Sequence, residues 1–311
     1  MQDAAPSPSC TVVIATRDRP GYLLRCLDAV VKESYGAFDV LVVDNGSGDD
    51  SIREIARRRN ARYVYEPIVG LSRARNCGAR ESTGEIIVYL DDDAVPQPGW
   101  LGALAREFAD PRVMAVTGRV VPLEEASLMA GGESLLGTCS KSARLVLDRD
   151  NPYWFEWVNF GQVGIGANMA IRRSAFAVWP GFDVCLGRGA AISGGEENYA
   201  FFALLDRGYR LVYTPDATVE HRTAKTVEEL YAAHLRNITT VSAYVVFLFA
   251  ERPQYRARLL RYILNGIRGA ARPWREERAT PAVAQAIAPR WRLAIAWLSG
   301  PWLYARSRLA T

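Results

Sequence analysis

The feature that most constrains the fold is a short apolar run that ends on three consecutive carboxylates. The run is Ile86–Leu90, rich in β-branched and aromatic residues, and Asp91–Asp93 follow it directly. It is too short for a helix, and turn-forming residues precede and follow it, so it predicts a buried central strand. Ligands of open α/β sheets bind beyond the carboxyl ends of the strands, so the three acids are expected to face a site.

These three acids repel one another unless a cation or a proton offsets their charge. The sharper interpretation is a divalent metal that also holds a phosphate-bearing ligand. The alternative is a solvated acidic loop, since carboxylates are ordinarily exposed.

Short strands alternate with helices in the residues that precede this run. The predicted strands are Thr11–Ala15, Phe38–Val43 and Arg62–Tyr65, and the predicted helices are Tyr22–Lys32, Ser51–Arg59 and Leu71–Ser82. The alternation predicts a mainly parallel sheet with helices on both faces. Asp44 ends the second strand as Asp91 ends the later one, so both should line one rim. Asp44 could accept hydrogen bonds from a base or a ribose, or it could cap the next turn.

Composition argues against several classes of protein. The 311 residues are 49% hydrophobic, and 38 basic against 34 acidic residues leave a net charge of +4, which does not suggest a nucleic-acid binder. The five cysteines form no CxxC pair, which argues for a reducing compartment and against a disulfide framework or a zinc site. Residues 1–9 lack the basic and apolar regions of a signal peptide, so a cytoplasmic location is predicted.

Four segments resemble the motifs of family 2 glycosyltransferases in their order and spacing. They are Thr11–Arg19, Val43–Ser47, Gly70–Gly78 and Leu90–Asp93. The resemblance implies the GT-A fold, an α/β architecture with a Rossmann-like nucleotide-binding half and a mixed central sheet. It also implies a nucleoside diphosphate sugar as donor and a divalent metal, Mn²⁺ or Mg²⁺, as cofactor.

The resemblance assigns roles to residues of these segments. Asp93 would bind the metal directly, as the last acid of the DxD motif, and Asp91 would hold the ribose or the donor sugar. Hard cations take carboxylate and phosphate oxygens together, which suits this assignment. The predicted donor-binding residues are Thr16, Arg17, Asp44, Arg73, Asp91 and Asp92.

Two features of the second half complete the predicted site. The family usually has Glu-Asp where this chain has Glu196-Glu197, and the second acid is its general base. Glu197 is therefore the predicted base, with Glu196 as the alternative, and one of the two could cap the helix that follows. A lone histidine is usually structural or exposed, but the family places a metal-binding histidine where this chain has His221. Asp93 and His221 are the predicted metal pair.

Aromatic and amide side chains between these motifs are candidates for contact with the sugar or the acceptor. Trp154 and Trp157 could stack on a sugar ring, or they could fill the core. Asn168 lies in Gly164–Ala170, a segment rich in small residues that matches the strand passing under the donor in the family.

The chain beyond residue 222 lies outside the resemblance. It is predicted to be helical, and its most apolar run, Ile238–Ala250, is shorter than a bilayer requires. Further on, arginines mix with apolar and aromatic residues, which suits contact with an anionic membrane at its cytoplasmic face. Packing on its own domain or self-association is the alternative. The predicted domains are a flexible N-terminus (1–9), a GT-A catalytic domain (10–222) and a C-terminal helical region (223–311). The catalytic domain is predicted to have a nucleotide-sugar-binding half (10–121) and an acceptor-binding half (122–222).

The predicted function is inverting transfer of a sugar, by default from a UDP-sugar, to the hydroxyl of an acceptor. The acceptor would be a glycan, a lipid-linked molecule or a small molecule, and Glu197 would take its proton. Asp91-x-Asp93 also matches the nucleophile loop of haloacid-dehalogenase-type phosphohydrolases, with Asp91 as nucleophile and Asp93 as acid/base. That family expects the loop after its first strand. A non-catalytic sugar-nucleotide-binding protein is the other alternative.

Overall fold

The computed structural model describes residues 7–123, 141–160, 163–222, 226–270 and 290–309. The chain divides into two compact units. The described residues of the first unit lie within Met1–Glu124, Gly137–Val184 and Glu196–Arg222, and those of the second lie within Cys185–Gly195 and Thr223–Thr311. The short segment before Glu196 therefore belongs with the C-terminal helices, which no sequence pattern indicated. The division of 10–222 into donor and acceptor halves stays a prediction.

The first unit opens with the expected alternation of strands and helices. Its elements up to the three acids are β1 (Cys10–Thr16), α1 (Pro20–Val30), β2 (Phe38–Asp44), α2 (Ser51–Arg58), β3 (Arg62–Tyr65), α3 (Leu71–Glu81) and β4 (Ile86–Asp91). Those that follow are β5 (Ala94–Pro96), α4 (Trp100–Arg106), β6 (Val113–Pro122), β7 (Leu145–Leu147), α5 (Trp154–Asn159), β8 (Asn168–Arg172), α6 (Glu196–Asp206) and β9 (Arg210–His221).

The described strands form one mixed sheet. Their order is β3-β2-β1-β4-β8-β6-β9-β5, and β7 pairs with β9. The strands β3, β2, β1 and β4 are parallel to one another, whereas β8 runs antiparallel to both β4 and β6. A parallel part followed by antiparallel pairing is the mixed sheet that was predicted.

The apolar run Ile86–Leu90 lies at the centre of the core, with each of its residues at most 2% exposed. It forms most of β4, between β1 and β8, so the predicted buried central strand is confirmed. On α3, Gly78 permits a close approach to β1, because a Cβ there would lie 2.4 Å from Val13 Cγ1. The α1 helix buries one face at helical spacing, through Leu23, Cys26, Leu27 and Val30.

Strand register gathers polar residues at one edge of the sheet. Thr16 pairs with Asp44, and Ala15 pairs with Asp91, so the ends of β1, β2 and β4 lie side by side. The strand β5 follows the three acids and pairs antiparallel with the end of β9, which sets Ala94 opposite His221. This pairing brings a histidine from far along the chain to the acids.

The second unit contains four described helices: α7 (Val227–Glu251), α8 (Arg256–Ala270), α9 (Arg290–Leu298) and α10 (Gly300–Leu309). The Thr226 hydroxyl caps α7 by accepting the Glu229 N–H at 3.2 Å. The helices α9 and α10 pack on α7, where the Ser242 hydroxyl donates to the Trp297 carbonyl oxygen. Within the described residues, every helix is too short or too polar to cross a bilayer.

Candidate active site

Two aspartates and a histidine gather where β4 and β9 end. His221 Nε2 lies 3.0 Å from Asp93 Oδ1 and 3.8 Å from Asp91 Oδ2. One ligand atom from each of the three residues lies within 4.8 Å of the other two, which is close enough to share an ion. The pairing of β5 with β9 produces this cluster, because it sets the last residue of β9 beside the turn after β4. The structure thus brings Asp93 and His221 together.

Both ring nitrogens of His221 are buried, and neither has a partner with hydrogen-bond geometry. Burial alone would lower the pKa of His221, but the facing carboxylates of Asp91 and Asp93 raise it to about 10. Without a metal the ring is therefore expected to carry a proton at neutral pH. Two carboxylates and an imidazole form a mixed ligand set that suits Mn²⁺. The buried nitrogen atoms of His221 fit a bound cation.

Asp92 bonds to the end of β1. Its Oδ2 accepts the Thr16 hydroxyl at 2.7 Å, and both side chains are buried. Burial raises the pKa of Asp92 to about 6, against the lowering effect of the hydrogen bond from Thr16. Thr16 and Asp92, both predicted to bind the donor, are thus hydrogen-bonded to each other. This bond holds the end of β1 against the turn formed by Asp91–Asp93. Contact of either residue with a donor stays a prediction.

Arg19 is a charged neighbour of the acids that the sequence analysis did not single out. Its Nη1 lies 3.2 Å from Asp92 Oδ1 and 3.4 Å from Asp93 Oδ2, so the guanidinium offsets part of the repulsion among the acids. The side chain is 40% exposed, which leaves donors available for a phosphate. The sequence did contain a signal for this role, because Arg19 ends the segment Thr11–Arg19 that resembles a family motif.

Asp44 caps the turn that follows β2. Its Oδ1 accepts the Ser47 N–H at 3.0 Å, and its Oδ2 accepts the Tyr63 hydroxyl at 2.9 Å. The capping alternative is therefore confirmed, and contact with a nucleoside stays a prediction. The two predicted donor-binding arginines are less enclosed: the Arg17 side chain is 50% exposed, and Arg73 is half-buried in the first turn of α3.

A buried arginine joins the acidic cluster to the start of α6. Arg75, on α3, is 3% exposed. Its Nη1 lies 2.9 Å from Glu196 Oε1, and its Nη2 lies 3.4 Å from Asp91 Oδ1. Nη2 also donates to the Gly166 carbonyl oxygen at 3.1 Å. A guanidinium is a rigid fork of donors, so Arg75 can hold these acceptors at a fixed separation.

Arg73 was predicted from the sequence to lie near the donor, whereas Arg75 was not predicted to have a role. The two arginines are two residues apart, so α3 turns them to different faces. Arg75 precedes Gly78 by three residues, and this spacing places both on one face of a helix. That spacing was the available signal. The buried residues of α3 are Ser72, Ala74, Arg75, Cys77 and Gly78.

The two adjacent glutamates differ in their surroundings. Glu196 is 4% exposed and is held by Arg75, whereas no ion pair of Glu197 is seen in the described part of the chain. Burial, and then the charge of Glu197, raise the pKa of Glu196. In each glutamate Oε2 is buried without a hydrogen-bond partner. Both residues lie in the first turn of α6, where the helix dipole favours a carboxylate.

The two predicted aromatic contacts differ in exposure. Trp154 is 4% exposed and stacks on Phe202, with 5.9 Å between ring centroids. It fills the core, which was the alternative to a sugar contact. Trp157 is half-buried, and the Lys141 ammonium lies 5.7 Å from its ring centroid. A sugar contact of Trp157 stays a prediction.

Asn168 is fully buried and uses its amide within the protein. Its Oδ1 accepts the Trp100 indole N–H at 2.8 Å. Its Nδ2 donates to the carbonyl oxygens of Ala217, at 2.8 Å, and of Arg119, at 3.0 Å. The structure therefore gives Asn168 a role in fastening β8 to its neighbours, in place of the predicted sugar contact.

Comparison with known proteins places these motifs in a family. The sequence model described as Glycosyl transferase family 2 matches residues 11–179, more than half of the chain. An N-acetylglucosaminyltransferase of Rhizobium meliloti (strain 1021) is 27% identical over 257 residues, 75% of this chain and 56% of that protein. A pre-mycofactocin glycosyltransferase of Mycobacterium tuberculosis (strain CDC 1551 / Oshkosh) is 29% identical over 217 residues, 68% of this chain and 42% of that protein. The chain thus spans about half the length of these relatives.

A solved structure shares the fold. It is the mannosyltransferase PcManGT from Pyrobaculum calidifontis, determined in complex with GDP-Man and Mn²⁺. The TM-score is 0.57 at 19% sequence identity, and the match covers 98% of this chain and 74% of that chain. At this identity the likeness concerns the fold alone, and it confirms the GT-A architecture.

Proposed function

This chain belongs to glycosyl transferase family 2, and we propose that it moves a sugar from a nucleoside diphosphate sugar to an acceptor hydroxyl with inversion. One observation carries the proposal: the cluster of Asp91, Asp93 and His221 can share a cation, and Arg75 links it to the glutamates that begin α6. Such a transfer needs a cation for the diphosphate and a base for the acceptor. Because the chain belongs to this family, the haloacid-dehalogenase-type phosphohydrolase is no longer an alternative function.

Asp93 and His221 would hold a divalent metal, Mn²⁺ or Mg²⁺, with Asp91 beside them. The 3.0 Å separation of His221 Nε2 and Asp93 Oδ1, without hydrogen-bond geometry between them, supports this assignment. When bound, the metal supplies positive charge that stabilises the departing diphosphate. Asp91 would also hold the ribose or the donor sugar, and Arg19 would add a second cation close to the phosphates.

Glu197 would act as the general base. Its neighbour Glu196 is fixed by the 2.9 Å ion pair with Arg75, which leaves Glu197 for the acceptor. The buried Oε2 of Glu197 lacks a hydrogen-bond partner, which suits a group that accepts a proton from an acceptor hydroxyl. As that proton moves to Glu197, the hydroxyl oxygen attacks the anomeric carbon opposite the diphosphate. The bond to the diphosphate breaks, and the configuration inverts.

The donor is proposed to be a UDP-sugar, because UDP-sugars are the usual donors in this family. Thr16 and Asp44, at the ends of β1 and β2, would contact the nucleoside, and Arg17 and Arg73 would lie near the donor. Their positions at one edge of the sheet support this assignment, because ligands of such sheets bind beyond the strand ends. Asp92 would act by positioning Thr16.

The acceptor is proposed to be a hydroxyl of a glycan, a lipid-linked molecule or a small molecule, contacted by Trp157 in the 122–222 half. A cytoplasmic location is supported by buried thiols at Cys10, Cys26, Cys77 and Cys185, since a reducing compartment preserves thiols. Peripheral contact of residues 223–311 with an anionic membrane is proposed in preference to self-association.

The test is calorimetric titration of UDP, GDP and dTDP into the protein, with Mn²⁺ and with a chelator. One nucleotide should bind in a metal-dependent way, and Asp93→Ala should abolish that binding. Asp216→Ala, at an exposed aspartate, is the matched control and should bind as wild type does. Failure of all three nucleotides to bind in the presence of Mn²⁺ would contradict the proposal.

A further inference from the structure

The helices α9 and α10 carry a continuous apolar face that is open to solvent. Its members are three, four or seven residues apart, so they share one side of a helix. The Ser299 N–H donates to the Ile295 carbonyl and the Leu303 N–H donates to the Ser299 carbonyl, each at 3.0 Å, so the helical pattern continues through the junction. This apolar face consists of Trp291, Ile295, Leu298, Trp302 and Leu309, each at least 58% exposed.

The opposite side of these two helices is packed on α7. Gly300 is buried there, and a Cβ on it would lie 2.3 Å from Ser242 Oγ. The rings of Phe247 and Tyr304 meet edge to face, with centroids 6.4 Å apart. This packing fixes the rotation of the helices about their axes. The apolar face is therefore held on the side away from α7.

The charge carried by α8, α9 and α10 is positive, and the charge of Arg308 is offset by an ion pair with Glu251 at the end of α7. Residues 256–270 and residues 290–309 contain four arginines each and no Asp or Glu. The Arg292 guanidinium lies 5.0 Å from the ring centroid of Trp291, and that of Arg306 lies 5.5 Å from Trp302. Arginine side chains beside exposed tryptophan rings are typical of helices at a lipid interface. A second copy of this surface would bring like charges together, so charge favours an anionic partner.

We infer that the apolar face of α9 and α10 docks on the surface of an anionic phospholipid bilayer. The tryptophan and aliphatic side chains enter the acyl boundary, and the arginines lie on the lipid phosphates. The two helices lie in the plane of the interface over about 30 Å. Leu260 and Leu264, four residues apart on α8, are exposed as well. Membrane docking itself does not depend on the proposed function. Its purpose does: docking would hold the enzyme beside a lipid-linked acceptor.

The experiment is flotation of the full chain with vesicles of phosphatidylcholine alone or with added phosphatidylglycerol, without donor or acceptor. The wild type should bind the anionic vesicles, and added salt should weaken that binding. Arg292→Gln/Arg306→Gln should lower the partition coefficient on anionic vesicles about 25-fold, since each arginine contributes about fivefold. The matched control Arg57→Gln/Arg58→Gln makes the same change of charge on exposed residues of α2 and should leave binding close to wild type.

A second variant tests the apolar contribution. Trp291→Ser/Trp302→Ser should lower binding to the same vesicles at least about tenfold. Both residues are exposed, so thermal melting should match the wild type. Absence of vesicle binding at low salt, or equal losses in the two arginine variants, would overturn the inference. The inference would also be overturned if the wild type forms a dimer, the tryptophan variant is a monomer, and neither binds vesicles. Because no substrate is present, these outcomes are independent of whether sugar transfer is found.

Discussion

Replacing Arg75 by methionine removes the buried charge that faces Glu196 and Asp91 and keeps most of the side-chain volume. Glu196 is 4% exposed and its ion pair spans 2.9 Å, so the variant leaves a buried carboxylate without that counterion. Removing one partner of a buried pair costs about 3–5 kcal/mol, and we expect the free energy of unfolding to fall by that amount. Arg57→Met breaks an exposed pair with Glu54 and should lower the stability far less, because water screens exposed pairs.

The assay is urea unfolding followed by circular dichroism, at about pH 7 and at about pH 9, an interval that spans the raised pKa of Glu196 in the wild type. Burial already raises the pKa of Glu196, and loss of Arg75 raises it further. The folded variant then binds a proton that the unfolded chain does not bind, so its stability falls as the pH rises through that interval. The loss caused by Arg75→Met should therefore be larger at the higher pH.

A double variant separates the counterion role from side-chain packing. Arg75→Met/Glu196→Met removes both charges and should recover most of the loss, because an apolar replacement of a buried pair is often neutral. Arg75→Lys keeps the charge without the fork and should lie between wild type and Arg75→Met. The reasoning is refuted if Arg75→Met costs no more than the surface control, or if the double variant is no more stable than the single one.

Three further predictions concern packing and protonation. Gly78→Ala should cost about 1–3 kcal/mol in thermal unfolding, because its Cβ would lie 2.4 Å from Val13 Cγ1, whereas Gly36→Ala, with no atom within 4 Å, should be neutral. Without metal, the pKa of His221 is raised from 6.5 to about 10 in the folded protein. The protonated imidazole therefore contributes its full stabilisation below pH 6.5, and this stabilisation is lost as the pH rises through about 10. His221→Ala should remove that part of the pH dependence of the urea midpoint. Binding of Mn²⁺ at neutral pH should release about one proton from His221, and identical binding enthalpies in buffers of different ionisation enthalpy would contradict this.

Local patterns were enough to predict the strand that carries the acids. Ile86–Leu90 is short and continuously apolar, as expected of a strand covered on both faces. The strand-end rule then placed Asp91 and Asp44 at one edge without any knowledge of distant contacts. His221 is different, because composition alone favoured a structural histidine and only the family resemblance indicated a metal ligand. The pairing that sets it beside Asp93 involves β5, a strand of three residues that no local pattern predicts.

Side-chain partners were harder to predict, because they depend on contacts between elements far apart in the chain. Arg75 meets Glu196 across 121 positions, so its role emerges only when α3 and α6 are both in place. Trp154 belongs to the core, since α5 packs against α6 and Phe202 covers its ring. Asn168 looked like a polar residue open to a ligand, but β6, β9 and α4 supply all the partners named for its amide.

Turnover of the nucleotide sugar whose nucleoside diphosphate binds in the titration is the most direct test of sugar transfer. Release of nucleoside diphosphate is measured with Mn²⁺, with water as the slow acceptor, for wild type, Glu197→Gln and the exposed control Glu54→Gln. We predict that wild type and Glu54→Gln turn over the donor, whereas Glu197→Gln binds the nucleotide normally and loses about 10²–10⁴-fold in rate. A wild type that binds donor and Mn²⁺ but turns over no faster than Glu197→Gln would contradict the account and leave a non-catalytic sugar-nucleotide-binding protein.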